Sequence, residues 1–219
     1  MDDVITIDNQ HSKTLVLGFH GCDEQTGRQL ISGELNHLSP SKNPYDWIGD
    51  GVYFFENDPA RAWHFATTAA AQPNKKFTRR PIKTPFVVGA IIDLGHCLDL
   101  SNQLGINELS DACAAFLISI GDKKIPQNHK ASNDDDDIIL RNFDRAIVNY
   151  LHELRRFIPS LMPYDTVRSP FSQGKPIAES SAFQRYSHIQ IAVRNANCIV
   201  GYFLPKQPLK SPFQGCEPN

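Results

Sequence analysis

The sequence lacks the features that mark membrane and secreted proteins. No apolar run approaches the roughly twenty residues that a helix needs to cross a bilayer. The start, Met-Asp-Asp-Val, has neither the basic region nor the apolar stretch of a signal peptide. The five cysteines show no C-x-x-C spacing, so they indicate neither a zinc site nor a disulfide framework. We therefore expect a soluble, cytoplasmic protein with reduced thiols, no metal and no membrane partner.

A strong overall charge is also missing, since the formal net charge is −2. The distribution is less even. Residues 1–140 hold 12 Lys and Arg against 19 Asp and Glu, whereas residues 141–219 hold 10 against 5. This asymmetry suits a positive face turned toward an anionic partner, and it equally suits a solvated surface of mixed charge.

A Rossmann site is not expected, because no G-x-G-x-x-G follows a predicted strand. Apolar patterning and turn residues predict strands at 15–19, 52–55, 86–94, 187–193 and 198–204. They predict helices at 26–35, 59–71, 109–120 and 138–157, the third of them buried, and a long loop over 158–182. Strands in separate pairs, without regular β-α-β alternation, favour an α+β fold, and the length suits a single domain over residues 1–219.

One stretch, 47–66, organises the chain and reads W-I-G-D-G-V-Y-F-F-E-N-D-P-A-R-A-W-H-F-A. Gly49 and Gly51 lead into a short strand that carries Tyr53, and glycine lets a backbone come close to a ligand. Upstream, the first predicted strand ends in His20-Gly21. Two strands that each present one polar ring beside a glycine suit the walls of a cleft for a flat ligand.

These segments resemble the ADP-ribosyltransferase superfamily, in its H-Y-E branch of the diphtheria-toxin and poly(ADP-ribose)-polymerase type. The resemblance rests on His20-Gly21, on G-D-G-V-Y-F at 49–54, on the helix after it, and on S-H-I-Q-I-A-V at 187–193. It implies two antiparallel sheets around an NAD cleft, with a helical insertion at roughly 105–160. Some bacterial members are toxins of toxin–antitoxin or phage-defence systems, which implies a neutralising antitoxin as a partner.

The resemblance also implies roles for individual residues. His20 would hydrogen-bond a ribose hydroxyl, and the Gly21 backbone would hold the nicotinamide amide. Tyr53 would stack on the nicotinamide ring, with Gly51 beside the cofactor. Trp63 or His64 would supply a second aromatic ring, and His64, eleven positions beyond Tyr53, fits the register better.

Gln190 stands where the family has its glutamate, so the implied catalytic set is His20, Tyr53 and Gln190. A glutamate would offset the developing cation, whereas a neutral amide can only form hydrogen bonds. The difference is consistent with an altered transferase or with a module that binds NAD without consuming it. Glu153 or Glu179 could supply the charge from elsewhere.

The implied activity is transfer of ADP-ribose from NAD, used as a substrate, to a macromolecule, with release of nicotinamide. Basic and aromatic residues before the third motif suit single-stranded nucleic acid, and they equally suit a surface loop of no special purpose. They are Arg155, Arg156, Tyr164, Arg168, Phe171, Lys175, Phe183, Arg185 and Tyr186. Nucleic acid is therefore favoured over protein as the acceptor. Alternatives are a non-catalytic NAD-binding or partner-binding module, a protein-directed transferase and an RNA 2′-phosphotransferase.

Overall fold

The computed structural model describes residues 14–43, 46–73, 78, 80–130 and 137–206. The helices are α1 Glu24–Ser32, α2 Pro59–Ala71, α3 Gln103–Ile120 and α4 Asn142–Phe157. The strands are β1 Leu15–Asp23, β2 Val52–Glu56, β3 Pro85–Asp93, β4 Cys97–Asp99, β5 Asn128–His129, β6 Leu140–Arg141, β7 Thr166–Phe171, β8 His188–Val193 and β9 Ile199–Phe203. Of the five cysteines, Cys216 lies outside the described residues and the other four are free thiols.

Seven strands form one mixed sheet in the order β4-β7-β8-β2-β1-β3-β9, and β5 and β6 pair separately. Only β4 and β7 run parallel; the other neighbours in this sheet are antiparallel. The predicted α+β class is confirmed. The three strands that carry the motifs lie in one hydrogen-bonded sheet and not in two sheets around a cleft, because β1 and β2 are joined at Gly18–Glu56 and Phe19–Phe55. Between β1 and β3 the pairing runs over the full length of both strands.

The helix that follows β2 begins where the sequence predicts. The Asp58 carboxylate accepts a hydrogen bond from the Arg61 N–H, and Pro59 occupies the first turn. The inner side of α2 is made of small residues, with Ala62 and Ala66 fully buried. A β-carbon on Gly21 would stand 2.4 Å from the Ala62 carbonyl oxygen, so glycine in β1 permits this close packing.

Two predictions about the second half of the chain were wrong. The segment 158–182, predicted as loop, contains β7, whose Thr166 and Val167 are fully buried between β4 and β8. The helix predicted at 109–120 begins earlier, at Gln103, because the Asn102 side chain caps it. It is also not buried as expected, since Leu104 and Ile118 are each 83% exposed. The predicted insertion contains α4 and most of α3, and it lies between β4 and β7.

Two hydrophobic clusters lie on opposite faces of the sheet and fix the strands that carry the motifs. Phe54, Ile92 and Ile191 are almost completely buried in one of them. The other contains Ile48 and Val148, so it packs α4 against the segment that precedes β2. The insertion thereby supports the glycine turn from which Tyr53 emerges.

Candidate functional site

The three motif strands are neighbours in the sheet, in the order β8-β2-β1. Phe55 of β2 pairs with Phe19 on one side and with Gln190 on the other. Segments that are far apart in the sequence therefore meet across a single central strand. Tyr53, two residues from Phe55, projects from the same face as Gln190, whereas His20, adjacent to Phe19, projects from the opposite face.

The pairing of β1 with β2 ends at the Phe19–Phe55 pair, and we call the unpaired stretch beyond that pair the opening. The Asn57 N–H donates to the Leu17 carbonyl oxygen (2.8 Å), and the backbone groups of every second residue point to the same side of a strand. The N–H and C=O of Gly21 therefore face the opening, and Gly21 has no partner residue on the described part of β2. The N–H donor and the C=O acceptor of Gly21 could pair with the C=O and NH₂ of a planar amide.

His20 lies across this opening. Its Nδ1 donates a 2.7 Å hydrogen bond to the Tyr53 carbonyl oxygen, because a carbonyl oxygen can only accept. Burial lowers the pKa of His20, so the ring is neutral near pH 7. The proton on Nδ1 leaves Nε2 as a hydrogen-bond acceptor. Such an atom can receive a hydrogen bond from a hydroxyl, as the predicted contact with a ribose requires.

Tyr53 has its hydroxyl engaged in the turn that precedes its own strand. The hydroxyl donates to the Gly49 carbonyl oxygen (2.7 Å) and accepts from the Ile48 N–H (3.3 Å). Burial raises the pKa of Tyr53 well above its usual value. Gly49 has a φ of +84°, which favours glycine at this position. Tyr53 thus closes the glycine turn, and its stacking on nicotinamide stays a prediction.

The glycine turn is also tied to α4 and to the end of β8. Asp50 forms an ion pair with Arg145 (2.7 Å) and exchanges two hydrogen bonds with Asn149. Arg194 donates to the Asp50 carbonyl oxygen (2.9 Å). A β-carbon on Gly51 would stand 3.0 Å from the Val193 carbonyl oxygen. Gly51 therefore serves the packing of β8, and its contact with a cofactor stays a prediction.

Gln190 is held by Trp47, a residue that was not among the predicted site residues. The Trp47 Nε1–H donates a 2.5 Å hydrogen bond to Gln190 Oε1. The Trp47 ring lies 4.6 Å from the Phe171 ring, and the Arg141 guanidinium lies over both rings. Trp47 opens the same stretch that carries Gly49 and Tyr53, which is the signal that could have identified it.

His64, rather than Trp63, joins a cluster beside these strands. The His64 ring stacks on Tyr186 with centroids 4.5 Å apart, and Arg61 donates to His64 Nδ1 (3.3 Å) and to Gln173 Oε1 (2.6 Å). Burial, with a smaller contribution from Arg61, lowers the pKa of His64. Trp63 is 43% exposed. Tyr186 occupies one face of the His64 ring, and the contact of His64 or Trp63 with nicotinamide stays a prediction.

His188, two residues before Gln190 on the same face of β8, was also missed. Its Nδ1 donates to the Tyr186 carbonyl oxygen (2.6 Å), and its ring lies 4.9 Å from Phe55. Nε2 is buried and has no partner among the described residues. Burial lowers the pKa of His188 to about 4, so it too is neutral near pH 7. It belongs to the motif at 187–193 and could have been found there.

The residues predicted to contact an acceptor divide into two groups. Arg155 pairs with Glu108 and Arg168 with Glu56, each at 2.6 Å, and both Tyr164 and Phe171 are buried. These four have structural roles. The other five are exposed: Arg156 at the end of α4, and Lys175, Phe183, Arg185 and Tyr186 on a hairpin-like segment, 173–186, whose Tyr186 reaches His64. The predicted substitutes Glu153 and Glu179 are both exposed.

Among the described residues, no group of three or more His, Cys, Asp or Glu side chains is placed to hold a metal ion. None of the helices in the described ranges is long and apolar enough to cross a membrane. Comparisons of the chain with protein-family models, with curated proteins and with solved structures found no match.

Proposed function

We propose that this protein is an ADP-ribosyltransferase that uses NAD as its substrate. The observation that carries the proposal is the adjacency of the three motif strands, β8-β2-β1, around the opening at Gly21. The H-G, G-D-G-V-Y-F and S-H-I-Q-I motifs stand in the order that the resemblance requires. A backbone donor and acceptor for an amide then lie beside the neutral ring of His20.

In the proposed reaction the bond between the nicotinamide nitrogen and ribose C1′ breaks, and its electron pair leaves with nicotinamide. A lone pair of the acceptor forms the new bond to C1′, and the acceptor's proton passes to solvent. This reaction needs the nicotinamide held rigidly and the ribose oriented. Gly21 would hold the carboxamide, and His20 Nε2 would accept from a ribose hydroxyl.

The acceptor in this proposal is a single-stranded nucleic acid, bound through the segment 173–186. Phe183 is 76% exposed and can stack on a base, and the exposed Arg185 can contact a phosphate. The contact of Tyr186 with His64 brings this segment to α2. A role as a toxin with a neutralising antitoxin stays a prediction from the resemblance alone.

A second candidate function is a module that binds NAD without consuming it. The observation that favours it is the neutral amide of Gln190, whose oxygen is already bound by Trp47. An RNA 2′-phosphotransferase is less favoured. Such an enzyme needs cations for an RNA phosphate, and Arg155 and Arg168 are committed to Glu108 and Glu56.

The test is nicotinamide release from NAD by the purified protein, alone and with RNA, single-stranded DNA or a protein extract. Label from NAD on the acceptor is followed in parallel. His20→Asn is the key variant, because an asparagine amide can still donate to the Tyr53 carbonyl oxygen but lacks an atom at the Nε2 position. His129→Asn, at an exposed site on β5, is the matched control.

Release that requires nucleic acid, survives in His129→Asn and falls at least tenfold in His20→Asn would support the proposal. Label on protein alone would move the acceptor from nucleic acid to protein. Binding of NAD without release under any condition would establish the binding module instead. If NAD neither binds nor reacts, the transferase proposal is wrong.

A further inference from the structure

We infer that Trp47 is a positioning residue that fixes the Gln190 amide, so that this position offers the bound ligand an N–H donor. The inference rests on the proposed function, since it concerns the site where NAD would bind. It goes further, because a glutamate at position 190 would offer an acceptor. Position 190 therefore donates a hydrogen bond to the ligand in this chain, where a glutamate would accept one.

The chemistry of the two side chains determines which way the amide points. An indole N–H can donate a hydrogen bond and cannot accept one. The atom of Gln190 that lies 2.5 Å from Trp47 Nε1 must therefore be the oxygen. An amide rotated by 180° would bring two donors face to face, so the NH₂ group has to point away from Trp47.

The NH₂ group of Gln190 remains available to a ligand. Within the described residues it donates no hydrogen bond, and it is not among the buried polar atoms that lack a partner. It therefore keeps contact with solvent. The amide oxygen of Gln190 is thus hydrogen-bonded to Trp47, whereas its nitrogen can donate to a ligand.

The Trp47 ring is itself held in place. Phe171 contacts the ring at 4.6 Å, and the Arg141 guanidinium lies 5.5 Å from its centre. The flanking residues Asp46 and Ile48 are buried. A side chain supported in this way can orient a neighbour, because little of its own freedom remains to be lost.

The ligand group at Gln190 must accordingly be a hydrogen-bond acceptor, such as the oxygen of a ribose hydroxyl. A primary amide also takes up no proton near neutral pH, so Gln190 cannot remove the proton of an incoming nucleophile. The contribution of this position is then orientation of the substrate.

The first test needs no NAD. The chain has two tryptophans, so a ¹⁵N spectrum shows two indole N–H signals, from Trp47 and from the 43% exposed Trp63. We expect the Trp47 proton to exchange more slowly with solvent than the Trp63 proton. Gln190→Met should shift the Trp47 signal and speed its exchange, leaving Trp63 unchanged. Equal exchange of the two protons, or a Trp47 signal that Gln190→Met does not move, would overturn the inference.

The second test is a double-mutant cycle on NAD affinity. Trp47→Phe keeps the ring against Phe171 and removes only the donor, and Gln190→Met removes the amide. Each should weaken NAD binding by about three- to tenfold, the range of one hydrogen bond. Gln190→Glu should weaken it as well, because a carboxylate has no donor. The double variant Trp47→Phe/Gln190→Met should bind about as well as Gln190→Met alone.

Effects that multiply fully in the double variant, or a Gln190→Glu variant that binds NAD more tightly, would overturn the inference. If the wild-type chain binds no NAD while the indole signals behave as expected, the proposed function fails and the contact between Trp47 and Gln190 stands. The two failures are therefore distinguishable.

Discussion

The hydroxyl of Tyr53 donates a 2.7 Å hydrogen bond to the carbonyl oxygen of Gly49, four residues earlier. The residue predicted to stack on nicotinamide is thus also the residue that closes the turn before β2. On the other side of β2, the Tyr53 carbonyl oxygen accepts from His20. Tyr53 therefore links the glycine turn, through its hydroxyl, to the opening beside Gly21, through its backbone carbonyl.

Tyr53→Phe should destabilise the fold while leaving the aromatic ring in place. The change leaves the buried Gly49 carbonyl and the Ile48 N–H without their partner, which costs about 1 to 3 kcal/mol. Urea denaturation measures the loss. Tyr150→Phe, at a half-buried tyrosine whose hydroxyl makes no hydrogen bond within the described residues, should stay within about 0.5 kcal/mol of wild type. If Tyr53→Phe is as stable as wild type, the hydroxyl does not fasten the turn.

Gly21→Ala should push α2 away from β1. The new β-carbon would stand 2.4 Å from the Ala62 carbonyl oxygen, a backbone atom that cannot turn aside, so we expect a loss of about 1 to 3 kcal/mol. Gly201→Ala, in strand β9 with nothing within 4 Å of the new atom, is the matched control and should change stability by less than about 0.5 kcal/mol. Equal losses in the two variants would contradict this packing argument.

The elements around the first two motifs could be predicted from the sequence because their signals are local. Asp58 and Pro59 mark the start of α2, and Gly49 and Gly51 mark the turn before β2. The adjacency of β1, β2 and β8 in one sheet was not predicted. It depends on pairings between distant segments, which periodicity does not encode.

The parts that could not be predicted depend on neighbours. Pro170 and Ser169 are residues typical of loops, so the sequence of β7 does not indicate a strand; its pairing with β8 does. The apolar composition of α3 suggested burial, but composition does not determine which helix is covered. Arg168 looked like a free cation, yet it pairs with Glu56, 112 residues earlier in the chain. Contacts of that range need the fold.

Acidification should destabilise the protein through its buried, neutral histidines. Burial, with Arg194, Arg155 and Arg156 nearby, lowers the pKa of His152 from 6.5 to about 3. Below pH 6.5 the unfolded chain binds a proton that the folded chain does not bind until about pH 3. This residue therefore costs no stability above pH 6.5. Its penalty grows as the pH falls from 6.5 toward 3, by about 1.4 kcal/mol per pH unit.

His152→Met removes the imidazole that binds this proton in the unfolded chain, and with it the buried Nε2 that has no partner among the described residues. Urea denaturation between pH 7 and pH 5 should show that the unfolding free energy of the variant falls less steeply with decreasing pH than that of wild type. The difference in slope should correspond to about one bound proton. His188 still contributes below pH 6.5 in both proteins, because its pKa is about 4. Identical slopes for wild type and variant would show that His152 is not neutral in the folded protein.

Arg168 and Arg185 should respond differently to the same substitution. Arg168→Met leaves the mostly buried Glu56 without its cation and removes a contact with Asp99, so we expect a loss of about 2 to 4 kcal/mol in urea denaturation. Arg185→Met, at an exposed site, should keep wild-type stability within about 0.5 kcal/mol and reduce the nicotinamide release that depends on nucleic acid. A stable Arg168→Met variant with reduced use of the acceptor would instead place Arg168 in the acceptor site. Loss of stability in Arg168→Met with no loss in Arg185→Met would show that Arg168 stabilises the sheet and that Arg185 does not contribute to the fold.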